Sequence, residues 1–268
     1  MVIKELINKS WYGTINFISS QADIDLTEQF ILHNLPVLKE FNHVVVATNY
    51  KEFDLNLINR HIDMWEKHFP TVRLIDNEVN RGHNHGNADL DNLLFDFCKK
   101  ANVEWLCKTA CDVIFQESIL DKEVDEADFY YLNGIGYGGM IKYNFDFTRI
   151  LNEDFYPQTN FYFINVSKCD YLNDQDYLDK TYDQISNIEN YNGKIWEYIP
   201  GWSCEDFLKN CVQRNNLSKF HLIPEDKYLH LLKIVKENVI HDCSHKNLMI
   251  EGICHFAYPN QPIMLLEK

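Results

Sequence analysis

The sequence predicts an α/β fold: a mostly parallel sheet flanked by helices in the first half, with a mixed second half. Three observations predict it. Through Phe115, short apolar runs alternate with helix-period segments in the order strand, helix, strand, helix, strand, helix, strand. The run Val44-Val45-Val46 is apolar on both faces, as in a strand buried within a parallel sheet. The stretch from Val72 to Phe115 reads as strand, glycine-containing loop, helix and second strand, which is most simply a right-handed parallel crossover.

Taken in order, TINFIS (Thr14 to Ser19) is the first strand, ending in the polar loop Ser20-Gln21-Ala22-Asp23. A helix from about Leu26 to Leu38 follows, kinked or ended by Pro36. HVVVATNY is the second strand. Ile58, Ile62, Trp65 and Phe69 then mark an amphipathic helix closed by Pro70. After the strand VRLID, Leu90, Leu93, Leu94, Phe97 and Cys98 form the apolar stripe of a helix. Asn87 suits its cap, Asp89 and Asp91 its positive end, and Lys99 and Lys100 its negative end. VEWLC is the fourth strand, and Asp112 stands where it runs out.

Beyond it, 121–128 is acidic and reads as a solvated helix or loop, and the glycine-aromatic region around Tyr137 to Tyr143 as a hairpin-like wall or lid. TNFYFINVS is a strong strand. The polar stretch from Asn173 to Asn192 carries little pattern. GWSCEDFLKNCVQRNNL opens a helix near Ser203, and a last helix is expected from about Lys227 to Glu237, before the tail VIHDCSHKN. With no repeat or linker, the expectation is a single domain over 1–268, in halves 1–118 and 119–268.

The 268 residues are 46% hydrophobic and 14% aromatic, which argues against disorder. Forty acids against 25 bases leave a net charge of −15, so nucleic acid or an anionic bilayer is a poor partner. None of the 8 cysteines falls in a CxxC pair. MVIKELINKSWYG lacks an apolar signal core, and no window reads as a membrane span. A cytoplasmic protein with free thiols is the expectation.

Ligands of such sheets sit at the carboxyl ends of the strands. Asn80, Arg81, Gly82, Gly86 and Asp112 are therefore expected to face one crevice, where backbone N–H groups can meet phosphate. Each also fits a surface turn, and Asp112 a simple cap. Lys108, between apolar strand residues, is either a snorkelling lysine or a contact for phosphate near Asp112. Glu205 and Asp206 suit a helix start electrostatically, or one of them serves as a general base. Neighbours on a helix diverge by about 100°, so only one can face an acceptor. His83 and His85 with His241, Cys243 and His245 match no zinc spacing.

Taken together, ATNY, NRGHNHGNADLDNLL, WLCKTACDVIF, TNFYFINV and WSCEDFL, in that order, resemble the GT-A-fold glycosyltransferases, most nearly the family-2-like nucleotide-sugar enzymes. The resemblance implies a nucleoside-diphosphate-sugar donor (UDP or GDP among the bases), a glycan or other hydroxyl acceptor, and transfer by inversion. It implies Mn²⁺ or Mg²⁺ held by a D-x-D motif, here Ala110-Cys111-Asp112 with the first acid missing. A C-terminal histidine, His241 or else His245, would complete that site. Ser19, Gln21, Asp23 and Asn49 would meet nucleobase and ribose. Asp206 would be the base, with Glu205 as its rival. A nucleotidyltransferase and a non-catalytic nucleotide-sugar or glycan binder are the alternatives. The first lacks its usual glycine-rich signature here, and the second is kept open by the incomplete D-x-D.

Overall fold

A computed structural model describes residues 1–111, 113–133, 155, 157–189, 204–223, 247–249, 252–255 and 263–265. A short helix α1 (Ile3–Ile7) leads into β1 (Ser10–Ile18), α2 (Gln21–Leu38), β2 (Val44–Tyr50), α3 (Leu55–His68), β3 (Arg73–Asp76), α4 (Gly82–Lys100) and β4 (Trp105–Ala110). The alternation expected through the fourth strand is the one observed. There follow β5 (Val113–Phe115), a 3₁₀ turn (Glu117–Asp121), β6 (Phe129–Asn133), β7 (Pro157–Asn165), α5 (Gln175–Ser186), α6 (Cys204–Arg214), β8 (Lys219–His221), β9 (Asn247–Met249), β10 (Ile253–His255) and β11 (Ile263–Leu265).

Among the described residues, seven strands form one sheet in the order β3-β2-β1-β4-β7-β6-β8. The strands β3, β2, β1 and β4 run parallel. Then β7 pairs antiparallel with β4 and with β6, so the second half extends the same sheet with mixed direction. Side chains alternate across the sheet with period two. Tyr12, Val44, Val46, Cys107 and Phe163 fall in one apolar cluster with residues of α2 and α3. Val45, Ala47, Leu106, Tyr162 and Ile164 fall in the other, with residues of α4 and α6. Helices on both faces explain why β2 and β4 are buried along almost their whole length.

Several boundaries differ from expectation for local reasons. The second helix starts at Gln21 rather than Leu26, because Asp23 Oδ2 accepts from the backbone N–H of Ser19 (2.8 Å) and of Ser20 (2.9 Å) and caps it. Pro36 sits in the last turn of that helix, which ends two residues later. Likewise α4 begins at Gly82, not near Asn87. Asn80 Oδ1 accepts from Gly82 N–H at 2.9 Å, and Gly82 takes the positive φ of 81° that starts the turn. The buried stripe of α4 is rotated from the expected one: Leu90, Asp91, Leu94, Phe95 and Cys98 are buried, while Leu93 and Phe97 are half-buried. The polar stretch after Asn173 holds α5, capped where Asp174 Oδ1 accepts from Tyr177 N–H at 3.1 Å. Of the helix or loop expected for 121–128, the structure has the loop, irregular after the 3₁₀ turn apart from a bridge between Glu123 and Val2. The expected helix from Lys227 to Glu237 and the glycine-aromatic region around Tyr137 lie outside the described residues. Among the described residues, no helix is long and apolar enough to cross a membrane.

Candidate functional site

The strand order reverses between β1 and β4: β2 and β3 lie on one side of β1, and β4 on the other. In a doubly wound sheet this switch opens a crevice at the carboxyl ends of the strands. Two helices begin at this edge, on the face of Val45, Ala47 and Tyr162. One is α4, which follows β3. The other is α6, whose Glu205 Oε1 accepts from the hydroxyl of Thr159 near the start of β7 at 3.1 Å. The unpaired N–H groups of a helix start attract anions. Two helix starts thus lie along this edge of a strongly acidic chain.

Asn49, at the end of β2, is buried, and its Oδ1 takes no hydrogen bond; the same holds for Asn160 Oδ1 on β7. These two strands are three spacings apart in the sheet, about 14 Å. A buried oxygen without a donor costs about 1–3 kcal/mol, which a ligand N–H or hydroxyl would recover. Gly86 stands where α4 meets this edge. A Cβ there would stand 3.1 Å from Asn49 Nδ2, a close contact from which the amide would have to give by a few tenths of an ångström.

Lys108 is neither a snorkelling lysine nor exposed to a ligand. It is 2% exposed, its Nζ lies 3.0 Å from Asp91 Oδ1 and donates to Thr159 O at 2.5 Å, and it sits 5.8 Å from the centre of the Tyr162 ring. Asp91, expected to serve the helix dipole, instead points inward. Burial pushes its carboxyl above the usual range, and the lysine pulls it back. Beside this pair, Glu205 is half-buried and also raised, first by burial, against the hydrogen bond from Thr159 and the charge of Lys108. Asp206 is 9% exposed.

Arg81 is likewise committed within the protein. Its guanidinium holds both carboxylate oxygens of Asp89, donates to Asp179 Oδ1 at 2.7 Å and lies 5.2 Å from the Tyr182 ring centre. His85 adds an edge contact to Tyr182 and a 3.1 Å hydrogen bond to Thr181 Oγ1. Burial and Arg81 push its imidazole down to about 4. Arg81 and His85 thus clamp α5 onto the start of α4, where the sequence alone had suggested a phosphate contact for Arg81.

Ser19, Gln21 and Asp23 are drawn into helix α2 and its cap rather than a loop. The Ser19 hydroxyl donates to Asp23 Oδ2 at 2.7 Å, and Gln21 ties α2 to α3 by accepting from Arg60 at 3.1 Å. Partial burial would raise the Asp23 carboxyl, yet the Ser19 and Ser20 hydrogen bonds hold it below its usual value. Asn49, Asn80, Gly82 and Gly86 come together where α4 starts against the end of β2. Asp112, His241 and His245 lie outside the described residues. Among the described residues, no three His, Cys, Asp or Glu side chains gather as a metal site. One carboxylate and two imidazoles are donors of a kind Mn²⁺ accepts.

Sequence reasoning missed Asp91, Thr159 and Asn160. The signal for Asp91 was available: it lies three and four residues before Leu94 and Phe95, on the buried side of α4. Thr159 and Asn160 carried none, because a polar residue early in a strand reads as its solvated end.

No protein-family model matches the chain, and no curated protein matches it in sequence. Among solved structures it is similar to the galactosyltransferase LgtC in complex with donor and acceptor sugar analogues, at 9% identity and a TM-score of 0.45, covering 93% of this chain and 88% of that one. It is similar to the bifunctional glycosyltransferase WbbM at 13% identity and a TM-score of 0.41, covering 76% of this chain and 37% of that one. A nucleoside-diphosphate-sugar pyrophosphorylase from Vibrio cholerae matches at 10% identity and a TM-score of 0.42, over 82% of this chain and 99% of that one. Fold and site define an α/β protein with a carboxyl-edge crevice at a switch point. At these identities the functional reading rests on the site's own residues.

Proposed function

We propose that the chain is a glycosyltransferase that moves a sugar from a nucleoside-diphosphate sugar to a hydroxyl of a glycan or related acceptor. One observation carries this reading: α4 and α6 both start along the carboxyl edge of the parallel strands, α4 against Asn49 with its partnerless oxygen, and α6 beside Thr159 with the raised carboxyl of Glu205. Helix starts suit a diphosphate, buried acceptors suit the hydroxyls of ribose and sugar, and a carboxyl of raised basicity suits proton removal.

In this reaction the acceptor hydroxyl gives its proton to the Glu205 carboxylate while its oxygen attacks the anomeric carbon. The bond from that carbon to the diphosphate breaks, and the electron pair leaves with the phosphate oxygen. Attack opposite to the leaving group inverts the centre. Glu205 is favoured over Asp206 because its carboxylate is oriented by Thr159 and less deeply buried. Mn²⁺ or Mg²⁺, held by Asp112 with His241 or His245, would offset charge on the departing diphosphate. Free thiols at the 6 cysteines whose state is described support a cytosolic setting.

The test is a thermal-shift panel of UDP-, GDP-, CDP- and dTDP-sugars with and without Mn²⁺, followed by measurement of nucleoside-diphosphate release. One nucleotide is expected to stabilise the fold by about 2.7 kcal/mol at a hundred times its dissociation constant, and more with metal than without. A protein unmoved by every nucleotide sugar at millimolar concentration is not this enzyme. Binding without release would make it a non-catalytic binder.

A further inference from the structure

Lys108 poses a physical problem. A lysine inside a strand, 2% exposed and paired with a 4% exposed aspartate, loses more hydration than the pair regains unless both partners are fully satisfied. Two apolar side chains of similar size would fill the same space between α4 and β4 at no electrostatic cost. Stability therefore does not explain the charge.

Its third contact does. The β4–β7 ladder pairs residues only as far as Thr109 with Phe161, and the β6–β7 pairing is irregular between Tyr162 and Pro157. Thr159 lies past the first limit and inside the second. Its carbonyl is held by the Lys108 ammonium at 2.5 Å, and its own hydroxyl reaches Glu205 Oε1 at 3.1 Å. A continuous chain thus runs Asp91, Lys108, Thr159, Glu205, from α4 through β4 and β7 to the start of α6.

We propose that Lys108 is a positioning residue for the Glu205 carboxylate, acting through Thr159. The role rests on the reading of Glu205 as the group that accepts the acceptor's proton. Asp91 anchors the ammonium from the α4 side, and the Tyr162 ring flanks it from β7. Cys204 and Asp206 are the other titratable neighbours of Glu205 on α6. Burial and Asp206 raise Glu205, while the Thr159 hydroxyl and Lys108 lower it, so removing either of the last two raises it further.

The experiment compares kcat, KM and melting temperature across pH 5–9 for the full chain and for K108M, T159V and E205Q. In K108M and T159V, kcat is expected to fall about tenfold with KM for the donor nearly unchanged, and the acid limb of kcat to move to higher pH. A lysine that only stabilises the fold would lower the melting temperature and leave the acid limb in place, which overturns the proposal. Should K108M fail to fold, T159V decides, since it keeps the ion pair and the main chain: wild-type kcat and an unmoved acid limb there overturn it equally. An E205Q protein that turns over like wild type removes the base assignment, and this role with it. An inactive E205Q beside wild-type-like K108M and T159V sinks the positioning role alone.

Discussion

His61 on α3 is 0% exposed, yet both of its ring nitrogens find partners. The Trp65 indole N–H donates to His61 Nε2 at 3.0 Å. With Nε2 accepting, the neutral ring carries its proton on Nδ1, 2.9 Å from the Tyr50 hydroxyl. This network requires a neutral ring, because Nε2 must accept, and burial pushes the imidazole down to about 4. The unfolded ring takes its proton near 6.5 and the folded one does not. Stability from this residue is therefore complete above pH 6.5 and is lost as pH falls towards 4, by up to about 3 kcal/mol. Urea unfolding between pH 4 and 7 should show that slope in the wild type and a flatter one in H61Q. Equal slopes would mean that His61 is not the group responsible.

The element on which the site depends most is α4, and a glycine on another element sets its height. A Cβ on Gly13 of β1 would lie 2.6 Å from Leu94 Cδ2 and 2.7 Å from Leu106 Cδ1, both on fully buried side chains. Without it, α4 settles directly on the central strand and brings Gly86 against Asn49 and Asp91 against Lys108. G13A should overpack this contact and cost about 1–3 kcal/mol, read as a lower denaturation midpoint with unchanged slope. An unchanged midpoint would show that the helix has room to lift. The clamp from Arg81 to Asp89 and Asp179 then fixes α5 over the first turns of α4. Helix position, helix start and the covering helix are thus set by three separate contacts.

Among the described residues, β1 and β4 have hydrogen-bonded strands on both sides, whereas β3 and β8 form the edges of the main sheet. The β3 strand is also half-exposed along its four residues. Local opening needs fewer broken contacts at an edge. Amide exchange followed by mass spectrometry should therefore rank β1 and β4 slowest, and β3 and β8 fastest among the sheet strands. Peptides of β3 exchanging as slowly as those of β1 would mean that the sheet opens only as a whole.

The alternation of strands and helices up to Phe115 was legible from the residues, because backbone period and two-sided burial leave a pattern in sequence that needs no partner to read. That Asn49, Gly82 and Gly86 stand at the carboxyl edge of the strands was legible on the same ground, since strand ends and glycines mark that edge. Helix starts were less so: Asn80 and Asp23 form caps by reaching a backbone N–H two to four residues away, and nothing in composition says whether such a reach closes. The partners of Lys108, Asp91 and Arg81 could not be read at all. A buried charge is tolerated only where another charge from a distant segment meets it, and that meeting depends on how α4, β4, β7 and α5 pack, not on any local spacing.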